Sequence, residues 1–567
     1  MRAACGDGAP GCDPISLLGG LERAALTQAL IERGLTLLDQ PDGRRIGTIH
    51  VVTLPVFGDE VRFLRWANAL HIRTRTDVVR RELVVAPGDR WDRDAIDESV
   101  RNLRDPLNTS LAVVVPVAPA DGAGDVVDLL VVTRDVWSLR TNYNGELQAG
   151  TFTFLTVSLS ENNFLGRHKL AALAFRMDQA VFSLGPVFVD KNAFGRHLDV
   201  RFTGGPLWNR DTLKVEGSES TVAISRPLWS LATRWGVYAD WSHQNAIERR
   251  FVGNRLRTFD APATPADDAL PWAYRDRRWA AGLSVVRAYG TTLRHRWKLG
   301  YALASERPSV LPDVVGDPAA IADFVDQVLP RSERAGRLYA GVELFTPRYR
   351  EYRDIDSYDL AESVRLGPRL QVVAGVAAPW LGSDRTFGTL ALEESWAWPL
   401  GGDGVVTTFG GVGLRLEAGR VIDRSFTQSV RLVAPRLGPL RLVSEAKASG
   451  LFREEANRRF FVGGDNGLRG FPVGAFAGQR ALIWQSEIRT LSRRLVFGMQ
   501  WGLVGFYDLA GAGDTIGQVA VHHDLGIGLR SLTPQLSAEV FRADLAVPLD
   551  GPGRGRPRVI LGYRQAF

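Results

Sequence analysis

The sequence has almost no cysteine, little lysine and no long apolar run. Its 567 residues include 2 cysteines, Cys5 and Cys12, both in the first dozen positions. A body free of thiols suits passage through an oxidising compartment. The pair itself fits a local disulfide or two surface thiols. No second pair follows at zinc-site spacing, so it is not a metal centre. Lysine occurs only at positions 169, 191, 214, 298 and 447, so arginine supplies nearly all of the 69 basic residues. The formal net charge of +6 is dispersed among 63 acidic residues. That scatter argues against a nucleic-acid groove and fits an outer leaflet rich in anionic headgroups. The absence of an uninterrupted apolar stretch of about 18 residues excludes a transmembrane helix. Within an N-terminal segment 1–43, residues 14–40 carry an amphipathic helical pattern (Leu17, Leu18, Leu21, Leu26, Leu30), not a basic n-region followed by an apolar core. Either the protein is cytosolic or a signal peptide lies upstream of Met1, and the barrel pattern toward the other end of the chain makes the second the expectation.

What is abundant points elsewhere. A hydrophobic share of 45% with 23% charged residues is too apolar for a disordered chain. With 59 glycines and 15 tryptophans, the composition suits a β protein with many turns and aromatic girdles.

Residues 44–140 read as a small α/β unit. A strand over residues 45–54 is followed by helical stretches at 60–72, from Thr76 as N-cap, and from Asp94 as N-cap with Ile96, Val100 and Leu103 as its apolar stripe. Two strands close the unit, 110–117 and 125–133, joined by a Gly-rich turn. The order is β–α–α–β–β with one extra helix after the first strand. Its second strand, with Val113 and Val115, is an edge that an extended client chain can join by strand addition.

From residue 141 to 567 the texture changes. Runs of about 9–12 residues alternate apolar and polar positions between Gly, Asp, Asn and Pro breaks, the length and period of a tilted strand crossing a bilayer. Leu482, Trp484 and Ile488 share one face, and Ile483, Gln485, Glu487 and Arg489 the other. Trp501, Leu503 and Tyr507 oppose Gln500, Gly502 and Asp508. Phe541, Ala543 and Leu545 oppose Arg542 and Asp544. The candidate runs number 18 or 19, some of them read as bent strands or hairpins in long outer loops such as 255–271 and 305–334; at roughly 25 residues per strand and loop, the expectation is an all-β transmembrane antiparallel barrel of about 16 strands. The last strand is expected to run to Phe567, which would anchor it at the membrane interface with Tyr563 on the same face.

Residues 460–471 read Phe-Phe-Val-Gly-Gly-Asp-Asn-Gly-Leu-Arg-Gly-Phe, and five strand-like runs follow. In this order the set resembles the BamA/TamA superfamily of outer-membrane assembly and translocation proteins (the bacterial surface antigen family), which joins periplasmic POTRA modules to a barrel. The resemblance implies that Leu468, Arg469, Gly470 and Phe471 form the tip of a loop folded into the lumen. It implies that Glu487 and Asp508 are the acidic partners of Arg469, and that residues 44–140 are one POTRA-like periplasmic module. A forked guanidinium serving two carboxylates is physically apt, since a lone carboxylate in a narrow lumen is costly. The family's C-terminal barrel signal maps to Gly562, Tyr563 and Phe567. Ile560 and Gln565 depart from it.

The function this implies is insertion of outer-membrane proteins or translocation of proteins across the outer membrane. Its partners would be unfolded client proteins, a lipopolysaccharide/phospholipid bilayer and accessory lipoproteins, with no nucleic acid and no cofactor. The alternatives are a passive pore or structural barrel of the same fold, and a two-partner secretion transporter. No H-E-x-x-H, G-x-S-x-G or Walker loop is present, so no enzyme is expected. In His522-His523-Asp524, adjacent residues on a strand point to opposite faces, so no metal is expected there.

Overall fold

The computed structural model describes residues 18–105, 108–120, 122, 124–148, 151–265, 267–358, 360–494, 499–533, 539–563, 565 and 567. Cys5 and Cys12 lie outside the described residues. No helix among them is long and apolar enough to cross a membrane.

The N-terminal unit is a three-stranded sheet with helices on both faces. β1 (Arg45–Leu54), β2 (Thr109–Val117) and β3 (Val126–Asp135) lie in the order β1-β3-β2, with β1 parallel and β2 antiparallel to β3. β3 is the centre, and its near-continuous apolar run Val126-Val127-Asp128-Leu129-Leu130-Val131-Val132 is what a strand buried on both faces requires. Alternation then splits the core. Val52, Leu54, Val113, Val115, Leu130 and Val132 meet Ala25, Leu26 and Ala29 of α1 (Gly20–Arg33). Ile49, Leu129 and Val131 meet α2 (Thr76–Arg81) and α3 (Arg93–Leu103) on the other side.

Two expected caps move. Asp92 caps α3, accepting from the amides of Asp94 and Ala95, so the cap lies two residues before Asp94. Arg75, not Thr76, is the N-cap of α2. The stretch expected to be helical at 60–72 is a 3-10 helix, Asp59–Leu70.

From Leu139 onward the strands form one antiparallel sheet whose hydrogen-bonded order returns to its start. The join is thin: Arg558–Tyr563 meets Leu139–Gln148 at two residue pairs, Ile560 with Glu146 and Leu561 with Gly145. Two short pieces, Arg348–Tyr352 and Arg493–Arg494, continue the strands before them past a break. With those merged, twenty strands among the described residues make up the ring, not about 16. The expectation overestimated the loops. Many turns at the end facing the N-terminal unit are short, and Ala273–Tyr289 and Arg294–Val310 reach 17 residues each.

The outer face is apolar. Leu283, Val285, Trp297 and Leu299 are exposed, while Ser284 and Val286 between them are buried. Ile527, Leu545 and Val559 form a continuous exposed rung across three paired strands. Trp235, Trp241, Trp396, Trp398 and Trp484 are exposed as well. An apolar exterior around a charged interior is the inversion that a lipid environment demands. Asp508, Asp524, Arg530 and Asp544 all lie inward at no more than 1% exposure.

At the far end, away from the N-terminal unit, residues 251–272 and 311–332 form a small cap. Ala261, Leu270, Tyr274 and helix α4 (Pro318–Gln327), through Ala320 and Phe324, share one core there.

Candidate functional site

The long far-end loop 453–479 turns back into the ring. Its stem is a short hairpin, Phe460–Val462 paired with Phe476–Gly478. The turn beyond the stem runs through Gly463, at φ 129°, where a Cβ would sit 2.1 Å from the Pro472 carbonyl oxygen. Only glycine fits there. Leu468 and Phe471 are fully buried, packing with Val462, Ala481 and Ala510. The Phe471 ring lies 5.6 Å from His522, which stacks on Phe476 at 4.1 Å.

Those apolar anchors place Arg469 among inward-facing carboxylates. Its Nε and Nη2 donate to the two oxygens of Asp508, each at 2.7 Å. Its Nη1 donates to Glu487 at 2.6 Å and to Asp544 at 3.0 Å. The guanidinium carbon stands 3.5 Å over the centroid of the Phe506 ring, a cation–π contact. The Gly470 amide donates to Asp524 at 2.8 Å. A Cβ on Gly470 would stand 2.7 Å from the Asp524 Cβ, so this approach requires glycine.

The structure thus brings Arg469, Glu487 and Asp508 together, and adds residues the sequence did not single out. Arg530 donates to Asp544 at 2.5 Å and to Glu487 at 3.1 Å. Arg489 donates to Glu487 at 2.7 Å. Arg542 reaches Asp465 of the loop at 2.7 Å. Four buried guanidiniums therefore meet three buried carboxylates, Glu487, Asp508 and Asp544, which limits the cost of taking each charge out of water. The period-two alternation had already put Arg489, Arg542 and Asp544 on the polar face. What it lacked was the cross-strand register, which sets Gly528 opposite Asp544 and Arg530 opposite Arg542.

Two other sets of expected site residues sit differently. Val113 and Val115 are 4% and 7% exposed and point into the core beneath α1, so their side chains are not offered to a client. β2 is the sheet edge, yet its C-terminal end is already bridged by residues 36–38, with the Leu38 amide donating to Pro116 and the Ala118 amide to Thr36. Its Thr109–Leu111 end opens on a cavity of about 530 Å³ shared with the ring's mouth.

At the C-terminus the strand stops at Tyr563, whose side chain lies outside the described residues. Gly562 is buried within that last strand. Phe567 is not at the outer interface. It packs beside Tyr352, Ile355, Val405 and Val433, and its carbonyl oxygen accepts from Arg431 at 3.3 Å. The chain turns inward because Arg530 inside the ring donates to Gln565 at 3.1 Å. In an uninterrupted strand Gln565 would share the outward face of Leu561.

His522 and His523 diverge as adjacent strand residues must: His522 meets Asp550 at 3.1 Å and His523 meets Tyr507 at 3.0 Å. Among the described residues no cluster suits a metal ion.

No protein-family model matches the chain, and no curated protein matches it. Among solved structures, the chain is similar to CdiB from Escherichia coli at 12% identity, covering 96% of this chain and 83% of that one with a TM-score of 0.43. It is similar to CdiB from Acinetobacter baumannii at 10% identity, over 98% and 99% of the two chains, with a TM-score of 0.36. It is also similar to BamA from Haemophilus ducreyi lacking POTRA domains 1–3, at 12% identity over 92% and 83%, with a TM-score of 0.37.

Proposed function

We propose that this chain is an outer-membrane barrel of the BamA/TamA type that inserts or translocates unfolded polypeptides, with residues 44–140 as a single POTRA-like module in the periplasm. The observation that carries the reading is the Leu468-Arg469-Gly470-Phe471 tip, seated by Arg469 on Asp508 and Glu487 inside the ring.

The apolar exterior supports a bilayer environment. The β–α–α–β–β unit supports a client-facing role at the mouth, because it touches successive turns there. Lys191 pairs with Asp105 at 2.6 Å, the Leu231 amide donates to Glu98 at 2.6 Å, and Arg104 pairs with Glu351 at 2.5 Å. The lateral join of only two residue pairs supports a wall that can part for a client strand. The clients are extended chains, and the surrounding lipopolysaccharide/phospholipid bilayer receives or is crossed by them.

Depletion of the protein in its host tests the reading. Expected is loss of folded outer-membrane proteins, or of an exported protein, while the protein itself fractionates with the outer membrane and shows heat-modifiable gel mobility. Unchanged levels of both client classes would leave a passive barrel.

A further inference from the structure

Two successive turns at the end facing the N-terminal unit repeat one sequence. Glu161-Asn162-Asn163-Phe164-Leu165-Gly166-Arg167-His168 joins the strands Thr151–Glu161 and Lys169–Met177. Asp190-Lys191-Asn192-Ala193-Phe194-Gly195-Arg196-His197 joins Val181–Ala193 and Leu198–Asn209. The shared residues build one shape. In each turn the asparagine amide donates to the acidic residue two before it, at 2.9 and 3.1 Å. The asparagine side-chain oxygen accepts from the histidine amide, at 2.9 and 2.8 Å. Leu165, Gly166 and His168 have φ of 58°, 71° and 52°, and Phe194, Gly195 and His197 have 57°, 67° and 51°. Positive φ is uncommon for residues other than glycine, so its recurrence at the same positions marks one built turn used twice.

The first turn holds an extended segment of the N-terminal unit. His71 and Arg75 both have β backbone angles. Asn163 Nδ2 donates to the Ile72 carbonyl and to the Thr74 hydroxyl, each at 3.0 Å. His168 Nε2 pairs with the same hydroxyl at 2.9 Å. The Arg75 amide donates to the Gly166 carbonyl at 3.0 Å, and Arg75 Nε donates to the Leu165 carbonyl at 3.2 Å. An asparagine, a histidine and two carbonyls thus read a main-chain carbonyl, a threonine hydroxyl and an arginine.

The second turn keeps those four groups without the segment. Among the described residues no hydrogen bond reaches the His197 ring or the Phe194 and Gly195 carbonyls. Asn192 Nδ2 meets Glu82 at 3.5 Å, the outer limit of a hydrogen bond. The His197 ring is stacked on Trp229 with centroids 3.9 Å apart, which fixes its plane. A cavity of about 330 Å³ opens between Glu82, Asn192, His197 and Trp229. Phe194 beside it is 87% exposed. Where the Arg73 carbonyl approaches Gly166, the end of the Arg81 side chain approaches Gly195. Arg81 is tied to Asp77 at 2.9 Å, and both side chains are exposed, so this cover yields readily.

We propose that the 190–197 turn is a docking site for an extended Ser/Thr-Arg segment of a partner protein, bound as the 161–168 turn binds Ile72–Arg75. A second copy of this chain does not supply the segment, because its own Thr74 and Arg75 are engaged, Thr74 also through its amide to Asp135 at 2.8 Å. Residues 1–17 contain no Ser-Arg or Thr-Arg pair. The docking does not depend on the proposed insertion function.

The experiment is fluorescence polarisation with the purified full-length chain and a labelled peptide of the sequence of residues 70–76, Leu-His-Ile-Arg-Thr-Arg-Thr. Saturable binding is expected. The same peptide carrying Thr74→Val and Arg75→Ala is expected to bind at least about tenfold more weakly. In the protein, His197→Phe keeps the stack on Trp229 and removes the ring nitrogens; it is expected to weaken binding at least about tenfold. His168→Phe, the matched change in the occupied turn, is expected to leave it unchanged. Arg81→Ala removes the cover and is expected to tighten binding about threefold or more, since only the uncovered form is competent. Heat-modifiable mobility shows that each variant is folded. Absence of saturable binding in both parent and Arg81→Ala overturns the proposal, as does equal binding of the two peptides. A loss that follows His168 instead of His197 assigns the peptide to the first turn and overturns it too. Arg81→Ala binding no tighter than the parent overturns the placement over Gly195.

Discussion

Arg469 and Asp508 meet fork to fork. Two parallel N–H···O bonds of 2.7 Å join them, and both side chains are fully buried. Bidentate geometry is specific to a guanidinium and a carboxylate, so the pair fixes the orientation of the loop tip as well as its position. Arg469→Ala leaves Asp508, Glu487 and Asp544 short of a shared cation. Breaking one partner of a buried pair typically costs about 3–5 kcal/mol. The expected outcome is a folded barrel that loses its heat-modifiable form at lower temperature, with faster protease cleavage in the loop. Arg469→Lys should recover only part of the loss. Combining Arg469→Ala with Asp508→Asn should cost far less than the sum of the two. Full additivity in that cycle would mean the pair is not a unit.

Asp544 is the residue that links the tip to the wall's own arginines, accepting from Arg469 through one oxygen and Arg530 through the other. Asp544→Asn is therefore expected to destabilise the barrel as much as Glu487→Gln does, by about 2–4 kcal/mol. The check is the temperature of heat-modification in the two variants side by side. A silent Asp544→Asn would assign Arg469 to Asp508 and Glu487 alone.

Glycine substitutions separate close packing from chain flexibility. A Cβ on Gly470 would meet the Asp524 Cβ at 2.7 Å and the Pro548 nitrogen at 3.0 Å, neither of which is the end of a flexible side chain. Gly470→Ala should cost about 1–3 kcal/mol, the usual range for overpacking. Gly505→Ala, with nothing within 4 Å of the added methyl, should leave stability unchanged. Equal behaviour of the two variants in denaturant titrations would remove the steric argument.

The sequence carried the two-faced strands, the α/β unit and the tip residues because each depends on local periodicity or a contiguous motif. Glu487, Asp508, Arg542 and Asp544 were legible as inward-facing for that reason. What was not legible depends on register and on chain reversal. Arg530 joins the network only because its strand pairs at a particular offset with Phe541–Pro548. Residues 353–358 look like an ordinary polar turn, and nothing in their own spacing says that Arg441 and Arg489 take their carbonyls. Phe567 fits the pattern of a terminal strand residue, but an inward Gln565 breaks the alternation two residues earlier. Strand number fell short because an average of about 25 residues per strand and loop assigned real strand to outer loop, as at 305–310, which continues the strand Arg294–Val310.

The contact between the N-terminal unit and the mouth is expected to be acid-labile. Arg104 bridges Glu351 at 2.5 Å and Glu22 at 3.3 Å, and Arg353 pairs with Glu22. Burial would raise the pKa of Glu351, but the adjacent Arg104 guanidinium outweighs it and holds the carboxyl below the ordinary glutamate range. A carboxyl with a depressed folded-state pKa contributes stability that is fully present above its unfolded value, about 4.3. That contribution is lost as pH falls through the lower folded value. Glu98, which accepts from the Leu231 amide, has the opposite sign. Burial pushes its pKa up, so acid does not penalise that contact in the same way. Lowering the pH from 7 to about 3.5 should therefore lower amide protection, measured against the intrinsic exchange rate at each pH, in residues 348–352 and in α3 before the barrel strands respond. Glu351→Gln should show the lower protection already at pH 7 and little further change on acidification. Protection in the variant that still falls as steeply as in the parent would shift the acid response to another contact.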